Sequence, residues 1–165
     1  MPELDDVDLR LLEELEKNAD RPNVELARIV GLSPASTLKR IRRLKDEGVI
    51  REIRARLDTA GLGFPLQVYV MCTLDQHDER ANRRFEAAVK KIPNVVRADW
   101  VTGETDALLQ LVARDVAELQ KVLMLLSSGA GASRIQTLLR LEELKGPSPL
   151  PRRRAGAAAR RASGR

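Results

Sequence analysis

The residues best suited to a specific chemistry form a run of cations, KRIRRLKDEGVIREIRAR, at positions 39–56. This run carries eight basic and three acidic side chains, whereas residues 1–38 carry four basic and nine acidic ones. Closely spaced Lys and Arg side chains neutralise the phosphates of a nucleic acid and release its condensed counterions. The run therefore predicts a contact with a polyanion. The alternative is an ordinary surface helix with solvated charges.

Other residues that could carry chemistry are few, because the chain has one Cys and one His. Neither a disulfide within the chain nor a Cys/His zinc set can be assembled, and a Ser-His-Asp triad would depend on His77 alone. Cys72 shares one face of a predicted strand with Val68 and Val70 and is interpreted as a small buried hydrophobe. Trp100 is interpreted as packing in a sheet or dimer. We expect no metal, no cofactor and no enzymatic activity.

Composition places the chain among compact proteins with an aliphatic core. It has 165 residues, a formal net charge of +5 and only four aromatic side chains. No run approaches the roughly 20 apolar residues of a membrane span, and the first ten residues are acidic where a signal peptide would be basic. We therefore expect a cytoplasmic protein with no membrane partner. Residues 146–165 hold six Arg and no acid, and their Pro, Gly, Ala and Ser content predicts disorder.

The basic run lies on the last of three predicted helices. Helices are expected at about 5–18 and 24–30, the second ending at Gly31, and Ser33 followed by Pro34 caps a third that Gly48 stops. Two helices joined by a short turn, the second one basic, form a helix-turn-helix. Alternation in residues 50–57 predicts a wing strand that completes a domain over residues 1–58. The inward face of the third helix is predicted to be Leu38, Ile41 and Leu44.

After a Gly/Pro-rich linker at 59–65, the pattern predicts a second domain over residues 66–145. Its order is β-α-β-β-α-β, typical of a ferredoxin-like α+β fold. One sheet face needs a cover, and a second copy of the same sheet is the simplest one, so a homodimer is expected. The predicted strands are 66–74, 95–102, 107–113 and 134–144, and the helices are 79–92 and 115–126, the second with Val116 on its apolar stripe.

Three segments resemble the Lrp/AsnC family, also called leucine-responsive or feast/famine regulators. They are LDDVDLRLLEEL, NVELARIVGLSPASTLKRIRRLKDEGVI and GETDALLQL, and the likeness spans about residues 4–145. The resemblance implies a winged helix-turn-helix joined to a ligand-sensing module that dimerises and often assembles into tetramers or octamers. It also implies an amino acid or similar effector near the 103–106 turn. In this turn Glu104 replaces an Asp, and Thr105 and Ala107 stand where the family often has an aromatic residue.

Two sets of site residues follow. In a helix-turn-helix, the first turn of the second helix lies nearest the bases and the surrounding cations reach base edges or phosphates. From composition alone residues 103–106 are a plain hairpin turn, but the resemblance turns them into an effector site in which Glu104 or Asp106 would take an ammonium group. The predicted DNA-binding residues are Ser33, Pro34, Ala35, Ser36, Thr37, Lys39, Arg40, Arg42, Arg43, Arg54 and Arg56. The predicted effector-binding residues are Val101, Thr102, Gly103, Glu104, Thr105 and Asp106.

These features predict a sequence-specific, effector-responsive, nucleoid-associated transcription regulator of amino-acid-related metabolism that binds double-stranded DNA. One alternative is an architectural protein that coats DNA without a ligand, aided by the basic tail. The other is an enzyme resembling the sirohaem decarboxylases, which share the two modules. The chain lacks the Arg-Glu-His run expected of those enzymes.

Overall fold

The structure is a computed structural model that describes residues 3–75 and 78–151. These residues form two compact units: residues 3–55 with 145–151, and residues 56–144. The tail from residue 152 and the loop residue His77 lie outside the described residues. Within the described segments, no helix is long and apolar enough to cross a membrane.

The first unit contains three short helices, close to the predicted bounds. Asp5 caps the first through a reciprocal pair of hydrogen bonds with Asp8, Gly31 ends the second in the left-handed conformation at φ +74°, and Ser33 caps the third. Leu11, Leu26, Val30 and Ile41 form the centre of the core. The helices are α1 (Asp6–Lys17), α2 (Asn23–Val30) and α3 (Pro34–Asp46).

The predicted wing strand at 50–57 is absent. Residues 51–58 are exposed and have no regular secondary structure. A strand needs a neighbour for its backbone N–H and C=O groups, and no described segment pairs with this one. The alternation of residues 50–57 is therefore compatible with a strand, but the described residues offer no neighbouring strand with which it could pair.

The second unit is a four-stranded sheet with two main helices, in the predicted βαββαβ order. All strand pairs are antiparallel and the spatial order is β2-β3-β1-β4, which is ferredoxin-like. Apolar side chains of β1 and β3 pack against Phe85, Val89 and Leu126 of the helical layer. The elements are β1 (Leu66–Leu74), α4 (Glu79–Val89), β2 (Val95–Trp100), β3 (Ala107–Ala113), α5 (Val116–Met124) and β4 (Ala132–Leu139), with a π-helical turn at Leu125–Gly129.

In the part of the chain that the structure describes, the opposite face of the sheet is open and keeps apolar side chains partly exposed. Tyr69 on β1 lies beside Leu138 on β4, and their exposed fractions are 37% and 46%. The sequence predicted that a second copy of the sheet would cover such a face, because partly exposed apolar side chains are stabilised when they are buried.

Several predicted bounds were too long. The last strand ends at Leu139 and not at residue 144. Its pairing with β1 ends with the hydrogen bond from the Arg140 N–H to the Gln67 carbonyl, at 2.9 Å.

Two further segments of the second unit were also predicted from sequence. Val116, assigned to the apolar stripe of α5, is instead 72% exposed. Residues 59–65, predicted as a linker, contain a turn in which the Asp58 carboxylate accepts hydrogen bonds from the N–H groups of Ala60 and Gly61.

Candidate nucleic-acid interface and effector site

The turn between α2 and α3 is built by local hydrogen bonds. The Ser33 side chain accepts from the backbone N–H of Ser36 at 3.2 Å and its hydroxyl donates to that of Ser36 at 2.9 Å. Across the turn, the Asn23 amide donates to the Pro34 carbonyl at 2.8 Å. Together these contacts fix the start of α3 relative to α2, as a helix-turn-helix requires.

The first turn of α3 and two cations beyond it form an exposed surface. Ser33, Pro34, Ala35 and Ser36 are all exposed. Lys39 and Arg42 are also exposed, and neither has an ion-pair partner among residues 3–75 and 78–151. We call this set the recognition surface: Ser33, Pro34, Ala35, Ser36, Lys39 and Arg42. Its hydroxyl groups and unpaired cations are of the kinds that read base edges and phosphates.

Thr37 was predicted as a DNA contact, and the structure contradicts this. Its side chain is fully buried and its hydroxyl donates to the Ser33 carbonyl at 3.0 Å. Leu38, predicted to point inward, is instead 40% exposed. The inward face of α3 is thus Thr37, Ile41 and Leu44.

Arg40 and Arg43, also predicted to reach DNA, are engaged with acidic residues at the start of α1. Arg40 Nη1 lies 2.6 Å from Asp5 Oδ2 and 2.9 Å from Asp8 Oδ1. Arg43 Nη2 pairs with Asp8 Oδ2, whose side chain is only 1% exposed. The hydrogen bond that Arg40 donates to Asp5 raises the pKa of Arg40, and the one that it donates to Asp8 has a smaller effect in the same direction. Both guanidinium groups therefore differ from the Lys39 ammonium and the Arg42 guanidinium in having fixed anionic partners.

The two remaining predicted cations lie in the exposed segment after α3. Arg54 Nε pairs with Glu52 at 2.6 Å and is 78% exposed. Arg56 belongs to the second unit, where Glu143 accepts from its guanidinium at 2.5 Å. That hydrogen bond raises the pKa of Arg56. These surface pairs are worth little energetically, so they leave both side chains able to exchange partners.

The predicted effector turn is tied to the end of β1. The Thr105 hydroxyl donates to the Cys72 carbonyl at 2.9 Å, and Asp106 Oδ2 accepts from the Leu74 N–H at 2.8 Å. The Asp106 N–H also donates to the Cys72 carbonyl at 3.0 Å. Val101, Thr102, Gly103 and Glu104 complete the turn, and the last three are exposed. Two side chains that were predicted to bind a ligand thus hold the turn in place.

A cavity of about 220 Å³ lies at the same end of β1, on residues that the sequence did not single out. Arg84 and Asp75 line it with opposite charges, and Arg84 has no carboxylate partner among the described residues. Gly131 lets the guanidinium approach, since a Cβ there would lie 2.9 Å from Arg84 Nη2 and the φ of +85° favours glycine. The other lining residues are Leu74, Ala81 and Ala130. Only the tertiary fold brings these residues together.

The remaining singled-out residues have structural roles. Cys72 is fully buried beside Val68 and Val70, as predicted, and burial raises the pKa of its thiol to about 11. Trp100 ends β2, packs against Phe85 with ring centroids 5.5 Å apart and donates to Glu86 at 3.0 Å. That hydrogen bond lowers the pKa of Glu86. In the described segments, no group of three or more His, Cys, Asp or Glu side chains could hold a metal ion.

Comparison with known families matches both units. Residues 4–51 match the winged helix-turn-helix DNA-binding domain, and residues 67–150 match the Lrp/AsnC ligand binding domain. The chain belongs to the Lrp/AsnC family. The winged helix-turn-helix and ferredoxin-like units predicted from sequence are confirmed as those of Lrp/AsnC regulators.

Individual Lrp/AsnC relatives are similar to this chain along most of its length. The leucine-responsive regulatory protein of Rhizobium meliloti is 36% identical over 87% of this chain and 92% of its own length. The transcriptional regulator AldR of Mycolicibacterium smegmatis is 36% identical over 90% of this chain and 87% of its own length. A Neisseria meningitidis transcriptional regulator, solved as its complex with L-methionine, has a TM-score of 0.83 at 34% identity, covering 90% of this chain and 97% of its own. This Lrp/AsnC chain is therefore a DNA-binding transcription regulator rather than an enzyme.

Proposed function

We propose that the recognition surface of α3 enters the major groove of DNA, with residues 33–36 nearest the bases and Lys39 and Arg42 on phosphates. The observation that carries this proposal is the exposure of both cations without an ion-pair partner in the described residues. A cation that has no protein partner to lose when it binds a phosphate contributes the full effect of counterion release to DNA affinity. Arg54 and Arg56, held only by surface pairs, would add phosphate contacts outside the groove.

Replacing Lys39 and Arg42 tests this assignment. The double variant Lys39→Gln/Arg42→Gln should weaken DNA binding and lower the slope of log K against log salt by about 1.8, since each lost phosphate contact contributes about 0.9. Lys91→Gln/Lys121→Gln removes the same charge from exposed positions of the second unit and is the control. Equal slopes for the two double variants would overturn the assignment.

For the second unit, we propose an amino-acid effector that binds at the cavity lined by Asp75 and Arg84, beside the 101–106 turn. A free amino acid presents an ammonium and a carboxylate, which match the Asp75 carboxylate and the Arg84 guanidinium. Glu104 would add a second acceptor from the exposed turn. The Neisseria meningitidis relative bound to L-methionine supports this class of ligand.

A thermal-shift screen against the twenty amino acids tests the effector. A ligand at about 100 times its Kd should stabilise the protein by roughly 2.7 kcal/mol. Arg84→Gln should abolish the shift, whereas the adjacent exposed Arg83→Gln should retain it, because Arg83 pairs with Glu79 at 3.1 Å on the outer face of α4. A shift that survives in Arg84→Gln would move the site elsewhere. Silence with all twenty amino acids would contradict this proposal and favour the ligand-independent, DNA-coating alternative.

We further propose that two copies join through the open face of the sheet around Tyr69 and Leu138, and that these dimers assemble into tetramers or octamers. A dimer would place two recognition helices on DNA, with half-sites about one helical turn or a multiple of it apart. The protein would then act in the cytoplasm, associated with the nucleoid.

A further inference from the structure

The carboxylate of Asp8 is the most deeply buried charge of the first unit. Residue Asp8 is 0% exposed, although it lies in the first turn of α1, where acids are normally solvated. Its Oδ1 accepts from Arg40, its Oδ2 accepts from Arg43, and Oδ2 also accepts from the Asp5 N–H at 3.2 Å. A carboxylate withdrawn from water to this degree needs such partners.

The two arginines stand on the same helix as the recognition surface. Their side chains are 31% and 42% exposed, so they lie at the rim of that surface and not in the core. Asp5 adds a second negative charge against Arg40, and the Arg40 hydrogen bond contributes to lowering the pKa of Asp5, after the larger effect of the Asp8 N–H. Two guanidinium groups therefore face the carboxylates of Asp5 and Asp8, with Glu47 a further 3.9 Å from Arg43 Nε, and this cluster presents little net positive charge to a phosphate backbone.

We propose that Asp8 is a positioning residue that withholds Arg40 and Arg43 from DNA phosphates and leaves Lys39 and Arg42 as the phosphate-binding cations of α3. This inference rests on the proposed DNA contact of the recognition surface. Its physical basis is competition: a phosphate that takes either guanidinium removes one of the two cations that compensate the buried carboxylate. Asp8 thereby limits sequence-independent binding, which phosphate contacts dominate, and increases the share of binding that depends on bases.

The variant Asp8→Asn tests the proposal on the full-length protein. Asn keeps the size and an accepting oxygen but removes the charge, so Arg43 loses the carboxylate of Asp8 and Arg40 keeps only the exposed carboxylate of Asp5, a surface pair that a phosphate can replace. We expect tighter binding to random-sequence duplex DNA and a salt slope steeper by up to about 1.8, the contribution of two added phosphate contacts. Asp6→Asn makes the same charge change at an exposed position of α1, two residues before Asp8, and is the control. A slope for Asp8→Asn equal to that of Asp6→Asn would overturn the proposal.

This readout separates positioning from a merely structural role. If Asp8 only stabilised the unit, its loss would lower the folded fraction and weaken binding, and it would not steepen the slope. The triple variant Asp8→Asn/Arg40→Gln/Arg43→Gln decides the matter even if Asp8→Asn fails to fold, because it removes the buried charge together with both of its cationic partners. Withheld arginines predict an unchanged salt slope in this variant, and a decrease of about 1.8 would overturn the proposal.

The same measurements distinguish failure of this inference from failure of the DNA-contact proposal. Loss of slope in Lys39→Gln/Arg42→Gln together with loss in Asp8→Asn/Arg40→Gln/Arg43→Gln means that the recognition surface binds DNA but Asp8 withholds nothing. No loss in Lys39→Gln/Arg42→Gln means that the recognition surface itself is wrongly assigned, and this inference is overturned with it.

Discussion

Asp106 and Leu74 join the effector turn to the sheet: the Asp106 carboxylate accepts from the Leu74 N–H at 2.8 Å. The ladder between β1 and β3 ends two residues earlier, at the pair Cys72–Ala107. Beyond that pair the Leu74 N–H has no backbone acceptor from β3, and the Asp106 side chain supplies the acceptor instead. The turn that follows β2 is thereby fixed relative to β1, beside the cavity that contains Arg84.

We predict that Asp106→Ala lowers the free energy of unfolding by about 1 to 3 kcal/mol, because it leaves the N–H of the buried residue Leu74 without its acceptor. Chemical denaturation measures this change. Glu104→Ala, on an exposed residue of the same turn, should stay within about 0.5 kcal/mol of the parent. Equal stability of the two variants would contradict the anchoring role of Asp106.

Thr37 and Ser36 give a matched pair on α3. Thr37→Val removes a buried hydroxyl and should cost about 1 kcal/mol of stability while leaving the DNA sequence preference unchanged. Ser36→Ala, on the recognition surface, should change the preference and leave stability nearly unchanged. Thermal denaturation and competition binding with variant DNA sites measure the two effects. A changed sequence preference in Thr37→Val would return Thr37 to the base-contacting set.

The buried thiol of Cys72 predicts a pH dependence of stability. Its pKa is about 11 in the folded protein against 9.0 for an ordinary thiol, so the unfolded chain releases its proton first as pH rises. The contribution to stability is complete below pH 9 and is lost between about pH 9 and 11, amounting to about 2 to 3 kcal/mol. Denaturation of the parent and of Cys72→Ala across this range measures the difference. Parallel pH profiles would contradict the burial of the thiol.

If two copies join through the open sheet face, as proposed, a charged side chain on that face should weaken their association. Tyr69→Asp or Leu138→Asp should shift the protein from dimer or larger assemblies to monomer in sedimentation velocity, because a carboxylate would be buried without a partner. Val116→Asp, at an apolar position that is 72% exposed on α5, should leave the assembly intact. A monomeric parent protein would contradict the proposed interface.

Local signals in the sequence were enough for the element order and for most helix ends. The Ser33–Pro34 pair placed the start of α3, and Gly31 placed the end of α2, because caps depend on neighbours only a few residues away. The β1 bounds were also predicted correctly, since apolar alternation and flanking turn residues coincide there. The βαββαβ order then followed from counting elements.

The inward face of α3 was predicted less well, because helical periodicity is compatible with both Thr37 and Leu38 beside Ile41 and Leu44. Hydrophobicity favoured Leu38. The structure buries Thr37, whose hydroxyl is satisfied by the Ser33 carbonyl within the same helix, so its burial costs little.

Long-range contacts gave no signal in the sequence. Asp8 meets Arg40 and Arg43 across 32 and 35 residues, and no local pattern marks that pairing. The cavity at Asp75 and Arg84 likewise joins the end of β1 to α4 and to Gly131 before β4. Only the packed fold shows which cations are paired and which remain free for a ligand.

Selection from a random-sequence duplex library measures whether α3 reads specific DNA through its recognition surface. The parent protein should enrich one motif of two inverted half-sites spaced by about one DNA turn or a multiple of it, and Lys91→Gln/Lys121→Gln should enrich the same motif. Lys39→Gln/Arg42→Gln should recover less DNA, and Ser36→Ala should shift the preferred bases. Recovery of DNA without any enriched motif by the parent protein would contradict sequence-specific reading by α3.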